Sequence, residues 1–513
     1  MTLWPTLVKT ALLGTDRAAG APVAHDDIGK LLAKLPEQSA AQTLLATAAT
    51  RTLHREIGRL PQEETIDLLP PAPQDDLPRT NVQLRRFFRD TVSGRYSNAL
   101  PELLITIKNS GQRIPAEAIP NLLTYGMRRA ELHPLIRQTI GKRGQWLAAQ
   151  NPSWAYAIGG ATNVGNPNAI WHTGNTAERR HLLQHLRATN PQHALELLQS
   201  TWEQEGPRER MEFIRTFSVG LSMNDEPFLE TLLDDRSYPV RRQAVGYLSG
   251  VLESRLCQRM TARIESLVVL KKGKNGRFLD VPISPELNPD VVRDGVVGKA
   301  ANRGLNAESW RTAQILGAVP LTVWTNKFGL TPSELVKAAI NGFKASTLIR
   351  GWSLAARRQK DTAWSEALLF GAKVSLGTNQ MLDLVTNLTV PQQETLALQL
   401  LNDQPSLKTL HQEHPVTITL KKMKHIWGKE LSEAIMHRLA ADIGDDKKGS
   451  LLDWRFREAV KRFAYHFPTS LFDDVQRILE PTANGRIWQI RIKEFIDILK
   501  FRRDMLAAVN SNQ

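Results

Sequence analysis

Two adjacent arginines, Arg241 and Arg242, stand in the stretch DDRSYPVRRQAVGYL, Asp234 to Leu248. Neighbouring guanidinium groups offer forked donors that can clamp a phosphate or a carboxylate. A structural role competes with that chemistry. Arg241 follows the apolar-stripe residue Val240 and stands six residues after Asp235, as a helical repeat ladder requires. The spacing therefore favours a structural ladder of Asp235 and Arg241, with Arg242 facing elsewhere on the helix and free to contact a partner.

Other chemistry-bearing groups reduce in the same way. Asp234 and Asp235 could push their pKa values apart for acid/base work, but at a helix-helix turn capping is the expected job. His181 and His185 have the i, i+4 spacing of half a zinc site. They lack the glutamate of HExxH and a third ligand, and His411 and His414 are similarly weak. Gly159 to Gly165 lacks the Gly-Lys-Ser/Thr of a phosphate-binding loop and reads as a flexible connector. No GxSxG, carboxylate-pair or cysteine-histidine signature is present, so no catalytic, cofactor or metal-binding residue is assigned.

Basic clusters are the best remaining signal. They are Arg85, Arg86 and Arg89; Arg128 and Arg129; Lys142 and Arg143; Arg242; and Lys271, Lys272, Lys274 and Arg277. The formal net charge of +14 invites an anionic partner. The excess is uneven: Arg79 to Trp146 carries 12 Lys/Arg against 4 Asp/Glu, and Trp202 to Arg236 carries 4 Arg against 9 acids. Segregated signs suit a docking surface better than a uniform polyanion glove.

The elements that must position these groups are helical. Apolar residues recur on one face in successive blocks: Leu182, Leu183, Leu186; Ala194, Leu195, Leu198, Trp202; Met211, Ile214, Phe217, Leu221; Phe228, Leu229, Leu232, Leu233; Val240, Ala244, Leu248, Val251. Asn190-Pro191, Gly206-Pro207 and Asn224 to Pro227 punctuate them. Paired, the first helices begin near residues 177, 208 and 239, a period of about 31. Units this small cannot bury their apolar faces alone, so an all-α solenoid of stacked hairpins is expected. The pattern Asp235, Val240, Arg241, Ala244, Leu248 resembles the second helix of HEAT-type repeats. That resemblance implies that Asp235 and Arg241 tie helix ends together, although the period is shorter than the usual ~40 residues.

At 513 residues the chain exceeds what one compact core supports. The expected division is an N-terminal helical domain at 1–158, a connecting loop at 159–176, a HEAT-like core at 177–265, a β-hairpin and loop insertion at 266–302, and a C-terminal helical domain at 303–513. Pro61 to Thr80 reads as an extended connector. Asn275-Gly276 between two β-prone runs predicts the hairpin, which should project from one face. Thr331 to Glu334 is a capping box, and a last long helix should start near Gly485.

One cysteine, Cys257, precludes an internal disulfide or a cysteine zinc cage. The opening MTLWPTLVKTALLGTDR makes a poor signal peptide, and no run of about 18 apolar residues occurs. A cytoplasmic protein with no membrane span is the expectation.

Several phrases together resemble a bacterial family of uncharacterised HEAT-like proteins: Trp4 with LVKTALLGTDR, GQWLAAQNPSW at Gly144 to Trp154, DEPFLETLLDDRSYPVRRQA at Asp225 to Ala244, RDG at Arg293 to Gly295, and WRTAQILGAVPLTVW at Trp310 to Trp324. Members of that family are commonly encoded beside MoxR-type AAA+ ATPases, von Willebrand factor A proteins and SWIM zinc-finger proteins. The resemblance implies a scaffold whose partner is a MoxR-type ATPase or a von Willebrand A protein. The alternative is a nucleic-acid-binding solenoid, in the manner of HEAT-type DNA-repair glycosylases.

Overall fold

The computed structural model describes residues 3–17, 27–34, 39–57, 69–158, 167–274, 276–281, 287–298, 305–372, 376–403, 407, 414–445, 454–483 and 485–510. The chain divides into two compact units, Met1–Pro71 and Ala72–Gln513. The division falls within the proline-rich stretch read as a connector. In the first unit the helices Leu3–Leu13 and Asp27–Leu32 pack on Ala40–Ile57.

The second unit is all-α with one two-stranded insertion among the described residues. Its helices Thr176–Thr189, Pro207–Ile214 and Tyr238–Leu248 start about 31 residues apart. The same inward positions are filled each time: Leu182, Phe213 and Ala244; Leu183, Ile214 and Val245; Leu186, Phe217 and Leu248 are all buried. Local chemistry sets the ends. Asn175 and Glu178 form a capping box, and Asn190 caps Pro191–Thr201 with proline at its first turn. After the insertion, Pro332–Ile340 packs on Thr362–Gly371, Ala345–Gln359 on Thr378–Val385, and Lys429–Asp445 on Phe472–Leu479. Helices thus stack on the next but one, and a continuous apolar core runs from Trp171 to Leu499.

A second core joins the ends of this unit. Leu84–Val92, Leu100–Asn109, Ile119–Gly126 and His133–Thr139 share it with Phe501, Met505 and Val509 of the last helix, Arg486–Asn510. Phe501 stacks on Tyr96 at 4.0 Å between ring centroids. Arg502, fully buried, pairs with Glu102 and donates to the Ala464 and Phe467 carbonyls.

The connecting loop expected at 159–176 is not uniform. Residues 159–166 lie outside the described residues, and Pro167–Thr173 is a helix because Trp171 is buried in the core beneath the Arg179 guanidinium, 4.1 Å from its ring. Similarly, the irregular segment expected after the hairpin holds the short helix Pro289–Arg293.

The hairpin pairs Val269–Gly273 with Gly276–Asp280, Val269 opposite Asp280 and Gly273 opposite Gly276. Gly276, expected in the turn, instead opens the second strand, and Asn275 lies outside the described residues. Gly276 takes φ +103° inside the strand. Register is fixed by Leu279, which is buried against Pro332–Ile340; a one-residue slip would turn it outward. The hairpin does not project freely, since Asn341 Nδ2 donates to the Arg277 carbonyl at 3.2 Å.

Candidate functional site

The arginines of the repeat helices are engaged in structure. Arg241 Nη1 donates to the backbone carbonyls of Asp235 and Arg236 at 2.6 and 3.1 Å. The Asp235 carboxylate accepts instead from Arg210 Nη1 at 2.8 Å and from the Ser237 amide at 2.7 Å. Arg179, Arg210 and Arg241 occupy the same position in successive helices. Arg179 pairs with Glu205 and Arg210 lies over Trp202. Sequence spacing found the period but not which arginine meets which carboxylate. Arg242 is exposed.

Asp234 and Asp235 meet different arginines. Asp234 accepts from Arg293 Nε and Nη2, both at 2.8 Å, and that pairing holds its carboxyl below the usual range. The RDG phrase is the centre of this network. Asp294, buried, accepts from Arg259 and from Arg263 at 2.6 Å, while Arg259 and Arg293 also reach Glu230 at 2.7 and 3.1 Å. Arg255 holds the Glu226 carboxyl down in the same manner. Four arginines face four carboxylates, so the cluster neutralises itself and is a clamp rather than a ligand site.

Histidines take structural places. His414 caps Pro415–Lys422, His411 lies outside the described residues, and no group of three or more His, Cys, Asp or Glu able to hold a metal joins His181 and His185 among the described residues.

The basic candidates do not converge on one groove. Arg85 pairs with Glu117, Arg89 lies 3.5 Å from Asp90, and Arg86 sits 4.9 Å from the Phe87 ring. Lys142 pairs with Asp76 at 2.7 Å, and Arg143 lines a small hollow with Asp75 and Trp146. Arg129 pairs with Glu131 and donates to the Tyr125 hydroxyl. Lys271 pairs with Asp280 across the hairpin. Arg128, Arg242, Lys272, Lys274 and Arg277 are exposed and make no ion pair among the described residues. Lys272 and Arg277 are directly opposed at the hairpin tip. Beside them Phe343 is 99% exposed, one residue from Gly342, which abuts the Leu279 carbonyl.

Sequence reasoning missed a cavity of about 1100 Å³. It is lined from the helices Leu100–Asn109, His133–Thr139, Pro415–Lys422 and Trp454–Phe463, and of the basic candidates only Arg129 reaches it. The run Lys421 to His425 was its one legible signal. Glu131 is held below the usual carboxylate range, chiefly by Arg129, with Lys424 adding to the effect.

Fold and surface together define, among the described residues, an all-α protein of stacked helices with a small β insertion, in which Arg255, Arg259, Arg263 and Arg293 are matched by carboxylates while Arg128, Arg242, Lys272, Lys274 and Arg277 stand outside in no ion pair. Within that class, the chain belongs to DUF5691, a family of unknown function, whose model matches residues 6–509. Neither a curated protein nor a solved structure matches it. No helix among the described residues is long and apolar enough to cross a membrane.

Proposed function

We propose that the chain is a non-catalytic HEAT-like α-solenoid scaffold that docks an acidic protein surface in the cytoplasm. Its partner is a MoxR-type AAA+ ATPase or a von Willebrand A protein. The observation that carries the reading is the hairpin, where Lys272, Lys274 and Arg277 make no ion pair among the described residues and the Asn341–Gly342 segment that meets its backbone leads into a fully exposed phenylalanine, Phe343. Exposed aromatic and arginine side chains are the residue types that anchor interfaces. Repeat helices behind the hairpin supply the rigid support such a surface needs.

Pull-down with purified candidates of those two classes tests it. Removing residues 268–283 outright would take Val268, Leu279 and Val281 from the core, so point variants are the cleaner probe. Phe343→Ser with Lys272→Glu and Lys274→Glu should abolish capture while leaving the melting temperature intact. Unchanged capture would remove the hairpin from the reading.

The second reading, a nucleic-acid-binding solenoid or glycosylase-like repair enzyme, draws on the net charge of +14 and on unpaired Arg128 and Arg242. Carboxylates beside Arg85, Arg129, Lys142 and Lys271 weaken it. It expects affinity to fall by about three to five decades between roughly 50 and 200 mM salt for 6 to 10 phosphate contacts.

A further inference from the structure

The 1100 Å³ cavity is used by neither reading, and its lining separates by chemistry. Ile105, Leu132, Leu135, Leu420, Phe463 and Leu506 are apolar. Three carboxylates reach it and each has a cation: Glu102 has Arg502, Glu458 has Arg491 at 2.7 Å, and Glu131 has Arg129. Lys421, Lys424 and Arg462 are left over, exposed, with no ion pair among the described residues. Lys421 and Arg462 stand with Lys422 and Lys461 in the last turns of their helices, where a cation is favoured, whereas Lys424 lies beyond the end of Pro415–Lys422.

The surplus charge is concentrated. Trp427 donates its amide to the His466 carbonyl at 2.7 Å, its ring lies 5.3 Å from that of Phe463, and His466 Nδ1 is 3.1 Å from the His425 carbonyl. These contacts bind the segment that follows Lys421 and Lys424 to the helix end that carries Arg462. A single anionic headgroup matches clustered cations better than charges spread along a partner helix would.

We propose that this cleft binds an organic anion with a long apolar body, an acyl-chain amphiphile whose carboxylate or phosphate ester meets Lys421, Lys424 and Arg462. Apolar walls with a few convergent polar groups are the general composition of ligand sites, and the volume lies just above their usual range of roughly 300–1,000 Å³. Inorganic phosphate would meet the cations but leave the apolar walls wet. A cationic amphiphile would bury its chain against three like charges.

Titration calorimetry on the full-length chain tests this with monomeric dodecyl phosphate, dodecanoate, dodecyltrimethylammonium and inorganic phosphate. A single saturable site for one or both dodecyl anions is expected, the stronger of the two identifying the headgroup; the ammonium and free phosphate should bind at least about tenfold more weakly. Lys421→Glu with Lys424→Glu should weaken the anion by about tenfold or more, and Lys272→Glu with Lys274→Glu should leave it unchanged. Leu135→Trp, which fills the cleft without altering charge, should also weaken it, so the test does not depend on one variant folding. Equal binding by the charge-reversed chain, equal binding of the ammonium, or no saturable binding of either anion overturns the proposal. So does capture of an acidic amphipathic helical peptide by a chain that ignores both dodecyl anions.

Discussion

Arg187 and Asp225, 38 residues apart, form a two-pronged ion pair at 2.6 and 2.7 Å in which neither side chain is more than 2% exposed. Arg187 also donates to the Val219 and Gly220 carbonyls and lies 4.5 Å from the Phe217 ring. Removing one partner strands a charge away from water, so Asp225→Ala should cost about 3–5 kcal/mol. Replacing both, with Arg187→Leu added, should recover part of that loss because no lone charge remains. Urea unfolding of the single and double variants measures the difference; a double variant no more stable than the single would show that desolvation is not the cause.

Gly295 makes a second prediction, this one about backbone. It takes φ +88°, and a Cβ there would come within 2.5 Å of Val245 Cγ2. Strain and overlap act together at one position, beside the Asp294 clamp. Gly295→Ala should therefore destabilise by about 1–3 kcal/mol, visible as a lowered melting temperature. Val245→Ala should relieve part of the overlap but none of the dihedral strain.

The ladder residues allow a comparison between two equivalent arginines. Arg210 meets the buried Asp235 carboxylate and covers Trp202 at 5.3 Å, whereas Arg241 meets the Asp235 and Arg236 carbonyls and lies 5.7 Å from the Tyr238 ring, with no carboxylate partner among the described residues. Arg210→Ala should cost about 2–4 kcal/mol and Arg241→Ala less than about 1 kcal/mol. Equal losses in denaturant titration would return the structural weight to Arg241, where the sequence pattern alone puts it.

That contrast marks how far the sequence could be read. The period of about 31 was legible because Leu182, Phe213 and Ala244 answer the same inward position, and caps such as Asn190-Pro191 and Thr331 to Glu334 act over a few residues. Pairings across distance were not legible. Nothing local ties Arg502 to Glu102, 400 residues away, and without that closure the basic run Lys421 to His425 has no cleft to be assigned to. The hairpin lies between these cases: its strands were evident from composition, but its register depended on where Leu279 could be buried, a tertiary matter.

His466 carries the pH prediction. Its ring stacks on Trp427 at 5.2 Å, and burial holds its pKa below the ordinary value of about 6.5, with Arg502 and His425 pushing the same way and the His425 carbonyl and Glu102 opposing. His133, half-buried and stacked on Tyr156, is shifted in the same direction by the same cause. Above about pH 6.5 both folded and unfolded rings are neutral and stability is independent of these groups. As pH falls through that value the unfolded ring takes up its proton first, so the unfolded chain is favoured and stability declines until the folded ring protonates as well. Each histidine contributes a slope of at most about 1.4 kcal/mol per pH unit within that window. Chemical denaturation from about pH 7.5 to 5.5 should show the decline, and His466→Asn should reduce the slope, leaving the share of His133, at the cost of some stability at neutral pH. An unaltered slope in that variant would move the proton uptake to another group.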